Sequence, residues 1–538
     1  MDQSPYWYQQ AVFYEVSLRG FFDGSGNGHG DLVGLIQKLD YIQALGINCI
    51  WLLPIYPSPL RDDGYDIADF LSIDPAYGTL EDFKALIQAA HKLQIRVVMD
   101  LVMNHTSDQH PWFLAARMDR KSPYHDYYVW SDTDKRYPDA RIIFTDTEPS
   151  NWTWNEATQE YYWHRFYACQ PDLNYDNPAV KAEMFKVVQF WLDRGIDGFR
   201  LDAVPYLIER DGTNGENLPE THQVLKDLRA FVDANYTDKV LICEANQWPV
   251  EVREYLGDGD ECHMAFNFPI MPRIFMSLKQ GNAAPIHWAL DQLPSIPPTC
   301  QWGTFLRNHD ELTLEMVTPE EREFMWREYS PDPVYRLNLG IRRRLAALLD
   351  NDRRKIELVY SLLFSLPGSP FIYYGDEIGM GDDVTLFDRN GLRTPMQWDA
   401  GRNGGFTTAE KSFAPVISDA VYGTRHVNVR QQMADEGSLW HKIQQMITLK
   451  KLFSVLFSHG IDWLPCSHIS VVAYQRGKGH DAIICVHHLV ETTEEVRISV
   501  PDGNFDLKDI FTGQKFRMED GNLSVVLPPY GYLWLKHA

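Results

Sequence analysis

An arginine and an aspartate lie two residues apart in the apolar run Gly198-Phe-Arg-Leu-Asp-Ala-Val-Pro205. Side chains two apart on a strand share a face, so Arg200 and Asp202 project together while Phe199 and Leu201 face the other way. A guanidinium beside a carboxylate favours its ionised form, the form a nucleophile requires. The same two residues would also suit a purely structural ion pair, since such pairs perturb titration as well. Polar groups close other apolar runs in the same manner. Asp100 and His105 follow one, Glu244 ends Val240-Leu-Ile-Cys243, and His309 with Asp310 ends another. Two carboxyls, one ionised and one protonated, are the equipment for cleaving a glycosidic bond with retention. Glu244 has no cation adjacent in sequence, so an apolar setting would raise its pKa into an acid's working range.

These residues must be positioned by the runs that carry them, at 12–16, 49–53, 97–102, 198–204, 240–245, 264–268, 304–307 and 370–374. Eight buried-looking runs separated by amphipathic, helix-like segments predict an α/β fold, a (β/α)8 TIM barrel whose working residues gather at the C-terminal strand ends. The barrel is expected over 1–104 and 171–455. The aromatic, turn-rich stretch 105–170 is too long for a βα loop and predicts an inserted small domain. The stretch 311–366, with two charged helical segments, predicts a lid. From 456 to 538 short alternating runs at 469–474, 482–487, 496–500, 504–510 and 523–527 predict a C-terminal antiparallel β-sandwich.

Composition narrows the partners. The formal net charge is −24, without a basic stripe, which argues against nucleic acid. Arg342-Arg343-Arg344 and Arg353-Arg354-Lys355 lie among acids and leucines and read as a solvated helix face. The most apolar stretch, 358–374, is broken by Ser361, Ser365, Pro367, Gly368 and Pro370 and does not read as a membrane span. Residues 1–10 show no export signal. Seven scattered cysteines without CxxC spacing suggest reduced thiols in the cytoplasm. A homo-oligomer is compatible with the sequence.

The segments Asp100-Leu-Val-Met-Asn-His105, Gly198-Phe-Arg-Leu-Asp202, Cys243-Glu-Ala245 and Phe305-Leu-Arg-Asn-His-Asp310 resemble, in order, the motifs of the α-amylase superfamily of retaining α-glycoside enzymes. The resemblance implies Asp202 as nucleophile, Glu244 as general acid/base and Asp310 as transition-state stabiliser. Arg200, His105 and His309 would orient the nucleophile and hold hydroxyls. Asp62-Asp-Gly-Tyr65, Gln170-Pro-Asp-Leu-Asn174 and Leu392-Arg-Thr-Pro-Met-Gln-Trp398 resemble the branch that handles one terminal glucose. There Asp62 and Arg393 would close the pocket and Tyr65 would stack on the ring. Within that branch, Val204–Thr213, Glu244–Trp248 and Leu366–Gly381 are most similar to the members that interconvert maltose and trehalose, which implies a disaccharide substrate, a double displacement and no organic cofactor. Hydrolysis of maltose and short α-glucans, or a sucrose-type isomerisation, are the alternatives. A catalytically dead transport accessory would lack the acidic triad and carry an anchor.

Two calcium sites are expected. The run Asp23-Gly-Ser-Gly-Asn-Gly-His-Gly-Asp31 offers oxygens from Asp23, Ser25, Asn27 and Asp31, with His29, around glycines, and a plain glycine-rich turn is the competing reading. The resemblance implies a second site from Asn104, Asp172 and Glu209 with the carbonyls of Tyr206 and Leu207.

Overall fold

The protein is described by a computed structural model over residues 5–500 and 505–538. Its centre is a closed parallel barrel of β1 (Phe13–Val16), β2 (Cys49–Leu52), β3 (Arg96–Val102), β4 (Gly198–Asp202), β5 (Val240–Cys243), β6 (Met264–Phe266), β7 (Gln301–Phe305) and β8 (Ser369–Tyr373), each strand beside its neighbour in sequence and β8 closing on β1. Every residue of these strands is buried. Both faces are covered, by helices outside and packed side chains within, which is why the strands read as continuous apolar runs. The seventh run was expected three residues late, because Gln301-Trp-Gly303 breaks the apolar pattern. Gln301 is nevertheless buried, its amide donating to the carbonyls of Gln9 and Phe457.

The helices follow from ordinary signals. Leu80–Lys92 starts at Thr79 in a capping box with Asp82 and buries Phe83, Leu86, Ile87 and Ala90, the one-face spacing of an amphipathic helix. Between β3 and β4 the inserted stretch forms a three-stranded antiparallel sheet of Trp130–Ser131, Glu160–Trp163 and Trp152–Asn155, with its own cluster of Val129, Tyr137, Trp152 and Trp163. Bridges His105–Asp172 and Tyr128–Leu173 tie its two ends together.

The segment expected as one lid has two fates. Residues 311–341 form a helix, Pro319–Tyr329, and a short hairpin of Arg336–Leu337 with Gly340–Ile341, and they lie near the C-terminal strand ends. The helix Arg353–Ser365 instead belongs to the barrel wall, with Ser361 accepting from Trp534 Nε1 at 2.9 Å in the C-terminal domain. Its apolar residues made that distinction legible only through packing.

The tail is an eight-stranded antiparallel sheet. Alternation divides its side chains between two cores: Val472, Tyr474, Ile483, Cys485 and Trp534 join the barrel's core, while Val471, Ala473, Ile484, Val486 and Leu535 build a second one. The expected strand 504–510 is observed as Asp506–Asp509, and residue 504 lies outside the described residues. Strands Asp462–Trp463, Lys515–Glu519 and Tyr532–His537 were not anticipated. Among the described residues no helix is long and apolar enough to cross a membrane, and all seven cysteines are unpaired.

The first arginine cluster is not a solvated helix face. Arg344 is 1% exposed and donates to the carbonyls of Tyr374 and Leu392 and to Asp376, while Arg343 pairs with Asp382. Three consecutive arginines outside a helix are here drawn inward by carbonyl and carboxylate acceptors. Arg344→Ala should therefore cost ~3–5 kcal/mol, the scale for stranding the partners of a buried charge, read as a lower urea midpoint. Arg354→Ala, at the exposed cluster, should leave the midpoint unchanged.

Candidate active site

The register of β3 against β4 places Asp100 beside Arg200 and Val102 beside Asp202. Arg200, 1% exposed, is shared by three carboxyls: Nη1 meets Asp100 Oδ1 at 2.6 Å and Asp202 Oδ1 at 2.5 Å, and Nη2 meets Glu244 Oε1 at 2.6 Å. Burial opposes the guanidinium's charge, but Asp100 and Glu244 outweigh it and hold Arg200 charged. Asp100 also accepts from Trp51 Nε1 at 2.9 Å and Tyr65 OH at 3.1 Å. Burial raises the Asp202 carboxyl above its ordinary value, with Arg200 pulling it down. Asp202 thus does not have the arginine to itself, as the strand pattern alone implied. Burial likewise pushes Glu244 up to about 7, against the pull of Arg200. The expected direction holds, although a cation that sequence distance concealed stands beside it.

β4 is followed by Ala203, whose φ of +52° is left-handed. For a residue with a Cβ that conformation costs ~1–2 kcal/mol. It turns the Ala203 N–H onto Glu244 Oε2 at 3.1 Å, tying the end of β4 to the end of β5.

Opposite lies Asp310. Its Oδ2 is 3.2 Å from His309 Nε2, and its Oδ1 is 2.9 Å from Arg393 Nη2 and 3.3 Å from Arg389 Nη1. Burial would raise this carboxyl; His309 and Arg389 overcome it and hold Asp310 well below the ordinary range. The turn Asn390–Leu392 lies between the two arginines, and both reach the same oxygen of Asp310. Arg393 reaches Asp63 at 3.1 Å rather than Asp62, so the expected Asp62–Arg393 closure is not what forms. Arg389 meets Asp62 at 3.4 Å and Glu311 at 2.9 Å, and its guanidinium lies over the Phe144 ring. Asp62 also accepts from Gln170 Nε2 at 2.8 Å, and burial raises it to about 7 despite Arg389.

A pocket joins these groups. Asp62, Tyr65, His105, Asp202, Glu244, Asp310 and Arg389 line it, with Phe144, Phe166 and Tyr206 as aromatic walls. Tyr65 stacks on the His309 ring, centroids 5.3 Å apart. His105 is held neutral by burial, its pKa lowered to about 3, and its Nε2 has no protein partner. Over the mouth, Glu315 of the 311–341 segment receives Arg141 at 3.1 Å and Asn246 at 3.1 Å. Sequence reasoning missed Arg389, Glu311, Glu315, Arg141, Asn246 and Glu15. Glu15 carried a signal, as the lone carboxylate in β1, and Asn246 lies within the Glu244–Trp248 segment; the others lie in loops without a pattern.

The two cation loops differ. Asp23 accepts from the N–H groups of Gly26, Asn27 and Gly28 and from Thr407, and Asp31 from those of Gly24, Ser25 and Gly34. Asn27 Oδ1 accepts from the His29 N–H, and the His29 ring stacks on Phe413. The carboxylates are satisfied by their own loop, so these residues do not fit a cation, and the glycine-rich turn is the reading the geometry gives. At the other place, Asn104 Oδ1 and Asp172 Oδ2 are buried acceptors without a donor. Burial raises both Asp172 and Glu209, the latter to about 8, and Glu209 pushes Asp172 further up. Orphaned oxygens of this kind suit a hard cation. Among the described residues no three His, Cys, Asp or Glu side chains group as a metal site.

Residues 16–332 and 341–459 match the family described as alpha amylase, catalytic domain, and 461–534 match the maltogenic amylase C-terminal domain. The chain belongs to the α-amylase family. Among its relatives, the "Trehalose synthase/amylase TreS" of Mycobacterium tuberculosis (strain ATCC 25618 / H37Rv) is 53% identical over 100% of this chain and 91% of its own length. The trehalose synthase of Pimelobacter sp. (strain R48) is 54% identical over 93% and 90%. The solved structure of the isomaltulose synthase SmuA from Protaminobacter rubrum superposes with a TM-score of 0.78 at 26% identity, covering 99% of each chain.

Ala203 offers a direct test of the strained strand end. Ala203→Gly should hold or raise the thermal midpoint, because glycine adopts the left-handed region freely, yet lower turnover by loosening the Ala203–Glu244 bond. A fall in midpoint would show that φ there is not strained.

Proposed function

We propose that this enzyme isomerises maltose to trehalose by a retaining double displacement. The observation that carries the reading is a pair of carboxyls, Asp202 and Glu244, on one buried guanidinium at one pocket, in a chain 53% identical to a protein called a trehalose synthase. One guanidinium bonded to both keeps them close, and retaining enzymes hold their two carboxyls about 5 to 5.5 Å apart. Glu244, with a pKa near 7, donates its proton to the linkage oxygen. Asp202 attacks the anomeric carbon, forming a glucosyl ester and releasing glucose. The glucose turns within the pocket; its anomeric hydroxyl attacks the ester while Glu244 takes the proton back, and Asp202 is regenerated. Asp310, held ionised, faces the positive charge that develops at the ring.

Asp62 and Arg389 would grip the far hydroxyls of the glucosyl ring, Tyr65 would stack on it, and His105 Nε2, lacking a partner, would meet a hydroxyl. Arg393 supports Asp310 from behind. A calcium ion held by Asn104, Asp172 and Glu209 with the carbonyls of Tyr206 and Leu207 would fix the join between the inserted domain and β4; it takes no part in the chemistry. The unpaired thiols favour a cytoplasmic setting. Hydrolysis is the second reading, favoured by the printed name "synthase/amylase" of the mycobacterial relative.

Maltose supplied with labelled free glucose should yield trehalose carrying little label, with glucose as a minor product. Heavily labelled trehalose would mean an open transferase, and glucose alone would mean a hydrolase. The pH profile tests the acid. Glu244 is competent below its pKa and fails as pH rises through it, so kcat/KM should fall along an alkaline limb near pH 7, an apparent value belonging to the coupled carboxyls together. Glu244→Gln should lose at least ~10³ in turnover and that limb with it.

A further inference from the structure

Glu15 is the one carboxylate of β1, 1% exposed behind His309. Its Oε1 accepts from the backbone N–H of His309 at 3.1 Å and lies 2.5 Å from His309 Nδ1. A carboxylate in that position requires a proton on Nδ1. The other ring nitrogen is constrained just as tightly. Nε2 is 2.8 Å from Tyr65 OH and 3.2 Å from Asp310 Oδ2. Tyr65 has one hydroxyl proton, and Asp100 Oδ2 at 3.1 Å is the charged acceptor within its reach. Asp100, bonded to the Arg200 guanidinium and to Trp51, is held as an acceptor for that proton. Nε2 therefore faces a phenol lone pair and a carboxylate, and only an N–H suits both.

We propose that Glu15 is a positioning residue that, acting through Nδ1, keeps His309 doubly protonated so that an N–H on Nε2, not a bare nitrogen, faces Asp310 and Tyr65. Hydrogen-bond counting carries this, and the electrostatics agree: burial works against a charged imidazole, but Asp310 and Glu15 raise it to about 9. The groups around the ring are Glu15, Tyr65, Asp100 and Asp310, with Arg393 donating to the His309 carbonyl at 3.1 Å, and Trp51 packed edge-on against the ring. Arg200 pairs with Asp100 and Arg389 with Asp310, but the groups within reach of the ring nitrogens themselves are Glu15, Asp310 and the Tyr65 hydroxyl.

The consequence is a division of labour. His309 stays cationic across the range in which Glu244 titrates, so Asp310 keeps a fixed charged donor while the acid opposite changes state. A charge-assisted N–H is also the stronger partner for Asp310 or a sugar hydroxyl. This rests on the pocket being the reacting site, but the protonation of His309 is measurable whatever the substrate.

The experiment is an NMR titration of the intact protein carrying ¹⁵N- and ¹³C-labelled histidine, with the His309 signals identified by their absence from His309→Asn. In the unmodified protein the ring should remain imidazolium up to at least pH 8. In Glu15→Gln, which keeps the shape and removes the charge, its pKa should fall by more than one unit, within the ~1–3 units that a neighbouring opposite charge commands. The kcat of that variant should be at least tenfold low at pH 8, and the deficit should narrow toward pH 5.5, where His309 is protonated without help. Glu15→Asp should recover part of both the pKa and kcat. A neutral His309 at pH 7.5 in the unmodified protein, read without any variant, would overturn the proposal. So would a Glu15→Gln deficit of the same size at every pH, which a merely structural role would give.

Discussion

Arg200 is the constraint on which the rest of this site depends. A guanidinium is planar, always charged and forked, so it can serve several carboxyls in one plane without deprotonating. Here the fork holds Asp100 from β3, Asp202 from its own strand and Glu244 from β5. Three strand ends are thereby fixed relative to one another by a single side chain that is almost wholly out of water. One positive charge against three acids leaves the cluster short of cations, and burial accordingly raises both Asp202 and Glu244. The site does not need a separate device to keep one carboxyl protonated; burial does it, with one cation shared among three acids.

The opposite wall has the reverse balance. Asp310 has His309, Arg389 and Arg393 around it and stays ionised in spite of burial. The two walls lie in one barrel mouth, so their difference comes from partners and not from solvent. This is the pattern by which similar groups acquire distinct acid and base roles: environments push their titrations apart. Tyr65 links the walls, stacking on His309 while donating to Asp100, so a disturbance of either wall reaches the other.

The barrel and the residues at its strand ends were legible because chemistry and periodicity coincided there. Asp100, Asp202, Glu244 and Asp310 each interrupt or end an apolar run, and a parallel barrel needs such groups only at its working end. What the sequence hid was pairing across distance. Arg389 and Arg393 both follow β8 and both are arginines; only the turn between them decides which faces Asp62. Glu244 looked free of cations because Arg200 is 44 positions away in the chain yet one strand away in space. The loop 23–31 misled in the other direction, since oxygens at alternate positions serve a cation or their own backbone equally well, and here the backbone N–H groups claim them. Arg344 went the same way: three adjacent arginines suggest a solvated surface until the carbonyls that receive them are known.

The shape of the pocket bears on which acceptor takes the glucosyl group in the proposed reaction. A held reactant can act at effective molarities of ~10⁵–10⁸ M if its reacting atoms are aligned, but released glucose must turn before its anomeric hydroxyl points at the ester, and during the turn that advantage is suspended. Water needs no alignment. The partition is therefore set during the turn, by how well the pocket excludes water while still leaving the sugar room to rotate. The contacts best placed to govern it are those at the mouth, Glu315 with Arg141 and Asn246, rather than the carboxyls at the floor, which treat either hydroxyl alike. A loosened mouth with an intact floor would keep glycosyl transfer to Asp202 and shift its outcome toward hydrolysis, so isomerase and hydrolase differ less in catalytic groups than in the persistence of a few contacts above them.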